Sequence, residues 1–126
     1  MRLGGETVEA ETFWRDVREH TASFFEGDAP LWRLSLPSTA EPVGIDAPQL
    51  IEWGGALRWL RTTLPAQEIR RRAHSLGGHA TLFRGGDRTQ GVFTPLTPAL
   101  AGIHQRLKTQ FDPHGIFNPG RMFETL

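Results

Sequence analysis

The sequence contains no cysteine among its 126 residues, and this absence excludes several classes of protein. A chain without thiols forms no disulfides, and it holds neither a thiolate metal site nor a cysteine-ligated iron–sulfur cluster. The remaining nitrogen ligands are five histidines, which are scattered without the spacing of a metal site: His20, His74, His79, His104 and His114. We therefore expect no metal site in this chain.

The sequence also lacks an excess of charge and lacks any long apolar run. Fourteen basic residues balance fourteen acidic ones, so there is no electrostatic signal for nucleic acid or for an anionic membrane. No apolar stretch approaches the roughly 18 residues of a membrane span, and the first residues contain no apolar signal core. These absences predict a soluble, cytoplasmic protein that neither binds nucleic acid nor inserts directly into a membrane.

Lysine is nearly absent as well, since Lys108 is the only one and the other 13 of the 14 basic residues are arginine. This bias fits either GC-rich codon usage or a site that requires guanidinium groups. Four arginines fall on predicted strands, where a guanidinium either faces solvent or binds a carboxylate or phosphate: Arg33, Arg58, Arg61 and Arg84. The sequence leaves both interpretations open.

The residues that are present predict a small antiparallel sheet. Alternating Trp32, Leu34 and Leu36 are typical of a half-buried strand. Two apolar runs flank Gly54-Gly55, the pattern of a hairpin with a type I′ turn. A further short strand is predicted over His79–Arg84, and the stretch 38–48 is predicted to be a loop.

Three helices are predicted around these strands. The first runs through apolar residues from Phe13 to Phe25, and the second follows Pro65 and stops at Gly77. The third opens at Thr97-Pro98 and ends at Asp112-Pro113, with a predicted buried stripe of Leu100, Ile103, Leu107 and Phe111. The order of elements predicts an α+β fold of the ferredoxin-like sort, a small antiparallel sheet with helices on one face.

The C-terminal segment carries two closely spaced turn signals, Asp112-Pro113 with Gly115 and then Asn118-Pro119-Gly120. The second predicts a type II turn, because proline fixes φ and glycine accepts a positive φ. Asn118 beside Arg121 would form a corner for the edge of a polar ring, and a ligand-free clasp is an equally good interpretation. We expect the tail to be ordered and to pack along the domain, because it contains large apolar residues: Ile116, Phe117, Met122 and Phe123.

The run FDPHGIFNPGRM resembles the terminal motif of FAD-linked oxidases of the vanillyl-alcohol oxidase type, close to F-D-P-x-G-I-x-N-P-G-[KR]-[ML]. The segments PLWRLSLPST, LIEWGGALRWLR and GGHATLFRGGD resemble the FAD-binding subunits of the glycolate oxidase branch of this family. The resemblance implies that residues 1–110 are part of a cap domain. It implies that residues 111–126 are a tail returning toward a flavin domain absent from this chain.

The same resemblance implies site residues and a cofactor. FAD would be bound by the whole protein rather than by this chain alone, with Asn118, Gly120 and Arg121 as its contacts here. Hydroxy-acid dehydrogenases of the family carry a G-H-x-G-D-G-N-x-H motif. Here the corresponding stretch keeps the first histidine, as His79 after Gly78, and lacks the Gly-Asp-Gly-Asn and the second histidine. This departure argues against a metal site and against independent oxidation of a hydroxy acid. Catalytic residues stay undetermined, with His79 and Arg84 as weak candidates.

The implied function is a share in a complex that oxidises glycolate, a small 2-hydroxy acid, to glyoxylate. The implied partners are a sister flavin subunit and an iron–sulfur subunit, through which the protein would lie at the inner membrane without inserting into it. One alternative is a non-catalytic, ferredoxin-like interaction module, since a fold alone does not fix a function. Another is an FAD-linked oxidase that acts on a different hydroxy acid or alcohol.

Overall fold

The computed structural model describes residues 10–123 and residue 126. The described part contains three α-helices: α1 (Ala10–Arg18), α2 (Ala66–Ser75) and α3 (Pro98–Phe111). It contains four strands: β1 (Leu31–Ser35), β2 (Gln49–Glu52), β3 (Leu57–Arg61) and β4 (His79–Arg84). Two short 3₁₀ turns complete it, at Ser23–Phe25 and Trp53–Gly55. The prediction of an α+β fold with a small antiparallel sheet is confirmed. The predicted placement of the helices on one face is wrong, because α2 packs on one face of the sheet and α3 lies over the other face across a cavity.

The four strands form one antiparallel sheet in the order β2-β3-β1-β4. The hairpin β2-β3 and the connection through α2 follow the split β-x-β arrangement of a ferredoxin-like fold. A loop at residues 36–48 takes the place of the first crossover helix. The inner strand β1 pairs with β3 on one side and with β4 on the other, so it sets the register between these two strands.

One sheet face and helix α2 enclose the main core. Side chains from the strands alternate, so Trp32, Leu34 and Leu60 share this face with Ala80 and Leu82 of the neighbouring strands. The helix adds the fully buried residues Ile69 and Ala73. This alternation is the one that the sequence predicted for β1, and α2 lies between Pro65 and Gly77 as predicted, so both predictions are confirmed.

Arginines hold the loop 36–48 against this core. Arg58 is 5% exposed and donates hydrogen bonds to the carbonyl oxygens of Ala40 and Glu41, both at 2.6 Å. Arg72 donates to the carbonyl oxygens of Pro42 and Val43. A buried guanidinium is tolerated here because its donors are satisfied by carbonyl oxygens that would otherwise lack partners.

The opposite sheet face carries a smaller aromatic cluster. Leu31, Leu57 and Trp59 pack with Phe25 from the first 3₁₀ turn. The His20 ring stacks on Phe25 with ring centroids 4.3 Å apart and meets Trp59 edge-on at 4.9 Å. This cluster extends from β2 to Phe83 of β4 and holds the chain that follows α1.

Two boundary predictions are wrong in detail. The first helix ends at Arg18 rather than running to Phe25, because His20 takes a positive φ of 56° and turns the chain. The hairpin lacks a two-residue type I′ turn. Its connection is the 3₁₀ turn Trp53–Gly55, in which Trp53, Gly54 and Gly55 all have positive φ.

The predicted buried stripe of α3 is also wrong. Leu100, Ile103 and Leu107 are 43 to 50% exposed, and Phe111 is 83% exposed. None of the residues of α3 is buried, because the helix faces the β1-β4 side of the sheet across an open cavity rather than packing on it. The apolar face of α3 is therefore available to another surface.

The expectation that the tail packs along the domain is wrong for most of its apolar residues. Ile116, Phe117 and Met122 are 58 to 70% exposed. Phe123 is the partly buried exception, with its ring 5.9 Å from the ring of Phe93. Polar contacts to Asp112, rather than apolar burial, hold the tail.

Candidate functional site

The end of α3 and the tail form the candidate site, and Asp112 organises it. Thr97 caps the start of the helix, its hydroxyl accepting from the Leu100 amide at 3.4 Å, and Asp112 ends it before Pro113. The Asp112 carboxylate is 7% exposed and accepts hydrogen bonds from the amides of Ile116 and Phe117, both at 2.9 Å. It also accepts from Lys108 Nζ at 2.6 Å. The first turn of the tail is thus pinned to the last turn of the helix.

Lys108 closes this arrangement from the other side. Its ammonium group donates to Asp112 and to the carbonyl oxygen of Phe117, so one cation joins the helix to both ends of the turn. The hydrogen bond from Lys108, together with the two backbone amides, lowers the pKa of Asp112 to about 2. The single lysine of the chain therefore has a structural role at the candidate site.

The hydrogen bonds from Lys108, Ile116 and Phe117 to the Asp112 carboxylate form a clasp that holds the tail. We expect this clasp to weaken in acid. The pKa of Asp112 falls from 3.8 to about 2 on folding. The stabilisation of the tail by the ionised Asp112 carboxylate is therefore complete above about pH 4, and it is lost as the pH falls through about 2. Amide proton shifts of Ile116 and Phe117, followed by two-dimensional NMR, should move together over that range. Asp112→Asn should shift both amides already at pH 7, whereas Asp46→Asn on the exposed loop should leave them unchanged. Amide shifts of Ile116 and Phe117 that are the same at pH 7 in Asp112→Asn as in the parent chain would contradict the clasp.

The second turn presents the predicted cofactor contacts. Asn118 has a positive φ of 45° and Gly120 one of 68°, and the Arg121 amide donates to the Asn118 carbonyl oxygen at 3.2 Å. This is the predicted Pro-Gly turn, with the added strain of a left-handed asparagine. A Cβ at Gly120 would meet nothing within 4 Å, so the turn stands open to an approaching group.

A cavity of about 540 Å³ lies between α3 and the tail. Asn118 and Arg121 both line it, together with apolar groups of Leu107, Phe117 and Met122. The structure therefore brings two of the three predicted contacts to one surface. Gly120 shapes the turn between them and is absent from the lining. Their role toward a cofactor stays a prediction.

A second cavity, of about 530 Å³, lies between α3 and the β1-β4 side of the sheet. His79 lines it, as expected for a residue at the start of β4, and Arg33 and Thr81 lie on the same sheet face. His104 and Met122 line both cavities and so separate His79 from Asn118. His79 and the tail turn therefore belong to adjacent parts of one region.

Arg84 lies elsewhere. Its guanidinium donates to the carbonyl oxygen of Phe25 at 2.5 Å, and it lines neither of these cavities. Its position gives it a structural role in fixing the first 3₁₀ turn. Of the two weak catalytic candidates, the structure brings only His79 to the candidate site.

Sequence reasoning missed three residues of this region. Asp112 is predicted from the sequence as a helix stop and a turn residue, without its contact with Lys108, although a Lys–Asp pair four residues apart is the signal for that contact. The sequence gives no signal for His104, which lines both cavities. Its role follows from the position of α3, which no local pattern indicates.

Among residues 10–123 and 126, no group of three or more histidine, aspartate or glutamate side chains is arranged to hold a metal ion. None of the helices described there has the length and apolar character needed to cross a bilayer.

The fold and the site together describe an α+β sheet domain followed by a clasped tail that offers an asparagine and an arginine beside an apolar cavity. The chain is similar to a curated protein, glycolate oxidase subunit GlcE of Escherichia coli (strain K12). The two are 51% identical over 124 residues, which is 98% of this chain. The resemblance to the glycolate oxidase branch, inferred from the sequence, is thereby confirmed.

The match covers 34% of the relative, so this chain spans about a third of the length of that subunit. No family model matches the chain. No solved structure matches it either.

Proposed function

We propose that this chain is part of the FAD-binding subunit of a glycolate oxidase, which oxidises the 2-hydroxy acid glycolate to glyoxylate. The observation that carries the proposal is the 51% identity to glycolate oxidase subunit GlcE over nearly the whole chain. The chain's own contribution is to shape one wall of the flavin pocket and to contact other subunits. Residues 1–110 would be part of the cap domain, and residues 111–126 would return toward the flavin domain.

The residues at the tail fit one edge of a flavin. A flavin has a planar, largely apolar ring system whose polar edge both donates and accepts hydrogen bonds. The Asn118 amide can do both, and it has no side-chain hydrogen-bond partner among the described residues. Phe117 and Met122 offer exposed apolar surface beside it. When bound, FAD would take up the hydride from the α-carbon of the substrate.

The role of each tail residue follows from this fit. Asn118 would hold the ring edge, and Arg121 would place a positive charge next to it, where electron-rich oxygen atoms gain most from it. Gly120 would leave the approach open, since no Cβ occupies the turn. The Asp112 clasp would keep all three in place before the cofactor arrives, which lowers the entropy lost on binding.

Exposed apolar surface supports contacts with other parts of the complex. One such surface is the face of α3 with Phe111, and another surrounds the β2 edge, where Trp53 is 80% and Trp14 63% exposed. Large exposed apolar groups in a folded domain mark sites of association. We propose that they contact the flavin domain, a sister flavin subunit and an iron–sulfur subunit.

The alternative of a non-catalytic interaction module is supported by the same exposed surfaces and by the ferredoxin-like strand order. It differs in predicting no flavin on any longer protein that contains this chain. Action on another hydroxy acid or alcohol would keep the flavin and change the substrate.

The tail role is tested in a chimera in which this chain replaces the matching third of the E. coli relative. Asn118→Ala should weaken flavin retention roughly tenfold, because it removes about one hydrogen bond worth 1–3 kcal/mol. His114→Ala is the matched control, since His114 occupies the variable position of the first turn, and it should change retention less than twofold. The readout is the ratio of flavin to protein absorbance after gel filtration.

Equal flavin occupancy in the two purified variants would remove Asn118 as a cofactor contact and leave the tail as a clasp. A colourless, folded chimera would favour the interaction module.

A further inference from the structure

The arginines on the sheet differ in what they bind. Arg58, Arg61 and Arg84 each donate to main-chain carbonyl oxygens, so all three are used in holding loops. Arg33 is half-buried on the inner strand β1, and its guanidinium has no hydrogen-bond or ion-pair partner among the described residues. The guanidinium donors of Arg33 are therefore free to bind an anion that enters the cavity beside them.

The surroundings of Arg33 define the ligand's charge. Arg33 lies between Trp59 of β3 and Thr81 of β4 on the sheet face that lines the cavity of about 530 Å³. His79 lies two residues before Thr81 on the same face. No aspartate or glutamate is among the described residues that line this cavity. The site is therefore positive and complementary to an anion.

We propose that Arg33 binds the carboxylate of a small 2-hydroxy acid in this cavity. A guanidinium presents a planar fork of donors that matches a carboxylate in two parallel hydrogen bonds. Thr81 and His79 supply a hydroxyl and an imidazole beside it for the substrate's hydroxyl group. Leu100 and Met122 close the other side with apolar groups. The hydroxy acid as the ligand rests on the proposed function, whereas the anion site rests on Arg33 and its cavity alone.

The site is held in a fixed shape by the backbone below it. The segment Gly77-Gly78 borders the cavity and comes so close to β1 that a Cβ at Gly78 would lie 2.0 Å from the Ser35 carbonyl oxygen. The hydroxyl of Thr94 bridges to Ala80, with distances of 3.1 Å from the Ala80 amide and 2.8 Å to its carbonyl oxygen. Both contacts fix β4, and with it His79 and Thr81, relative to Arg33.

The test is an NMR titration of the 126-residue chain with glycolate, following the guanidinium signal of Arg33. We expect saturable shifts at Arg33, Thr81 and His79. Glycolamide has the same shape without the charge and should bind roughly tenfold more weakly or worse. Arg33→Gln should weaken glycolate binding by roughly the same factor, and Arg33→Lys, which keeps the charge but not the fork, by less. Arg88→Gln, on an exposed loop, is the matched control and should have no effect.

The comparison of glycolate with glycolamide needs no variant, so it holds even where Arg33→Gln fails to fold. Unaltered glycolate binding in folded Arg33→Gln, or equal binding of glycolate and glycolamide, would overturn the proposal. Binding of inorganic phosphate at Arg33 without binding of glycolate would overturn the carboxylate assignment. The glycolate titration involves no flavin, so a negative result there does not affect the test of flavin retention at Asn118. Likewise, a negative result for Asn118 does not affect the anion site at Arg33.

Discussion

Gly78→Ala is expected to lower the free energy of unfolding by about 3 kcal/mol, which is the upper range for overpacking a close contact. An added Cβ would lie 2.0 Å from the Ser35 carbonyl oxygen and 2.7 Å from Leu36 Cδ2. The nearest of these atoms belongs to the backbone of the inner strand β1, which cannot move without disturbing its pairing. The Gly78 amide also donates to the Ala73 carbonyl oxygen at 2.9 Å, so the segment cannot shift away freely.

Gly102→Ala is the matched control for this prediction. Gly102 lies within α3, and a Cβ there would meet nothing within 4 Å. Alanine has the higher helix propensity by about 1 kcal/mol, so this variant should be as stable as the parent chain or more stable. Urea unfolding followed by tryptophan fluorescence measures both. A Gly78→Ala variant as stable as the parent would show that Gly78 does not approach the Ser35 carbonyl oxygen as closely as in this structure.

The strands could be predicted because their patterns are local. Alternation at Trp32 and Leu34 indicates which face of β1 is buried, and β4 lies at His79–Arg84 as predicted. The second helix is likewise defined by its apolar spacing between Pro65 and Gly77. In each of these cases, the signal and the structure that it determines lie within about ten residues of sequence.

The position of α3 could not be predicted in the same way. Its apolar spacing correctly indicates a helix with an apolar face, but spacing does not say whether a partner for that face lies within the chain. Leu100 and Leu107 are about half exposed because α2 already covers one sheet face and the Phe25 cluster occupies part of the other. The exposure of Ile116, Phe117 and Met122 could not be predicted either, because an apolar residue type does not say whether a partner surface lies within the chain.

The candidate site was predictable in its turns and unpredictable in its assembly. The Pro-Gly turn at Asn118 follows from the φ preferences of two residues. The cavity beside Arg33 involves β1, β4 and α3, which are separated in sequence by tens of residues. Arg58 and Arg33 look alike in the sequence, yet one holds a loop and the other lines a cavity, and only the fold distinguishes them.

This chain alone is expected to bind FAD at least a hundredfold more weakly than the chimeric subunit in which it replaces the matching third of the relative. Under the proposed function, the tail would donate or accept one or two hydrogen bonds at the flavin edge, worth about 1–3 kcal/mol in total. A micromolar complex needs about 8 kcal/mol. The cavity between α3 and the tail is lined largely by exposed side chains, so it forms one wall of a site rather than an enclosed pocket. Under the proposed function, most of the affinity for FAD would come from the rest of the subunit.

Isothermal titration of FAD into the 126-residue chain and into the chimera tests this account most directly. The account predicts micromolar or tighter binding to the chimera and no micromolar binding to the chain alone. Micromolar binding of FAD to the chain alone would show that it holds the cofactor by itself. The absence of FAD binding in a folded chimera would contradict the proposal that this chain is part of a flavin-binding subunit.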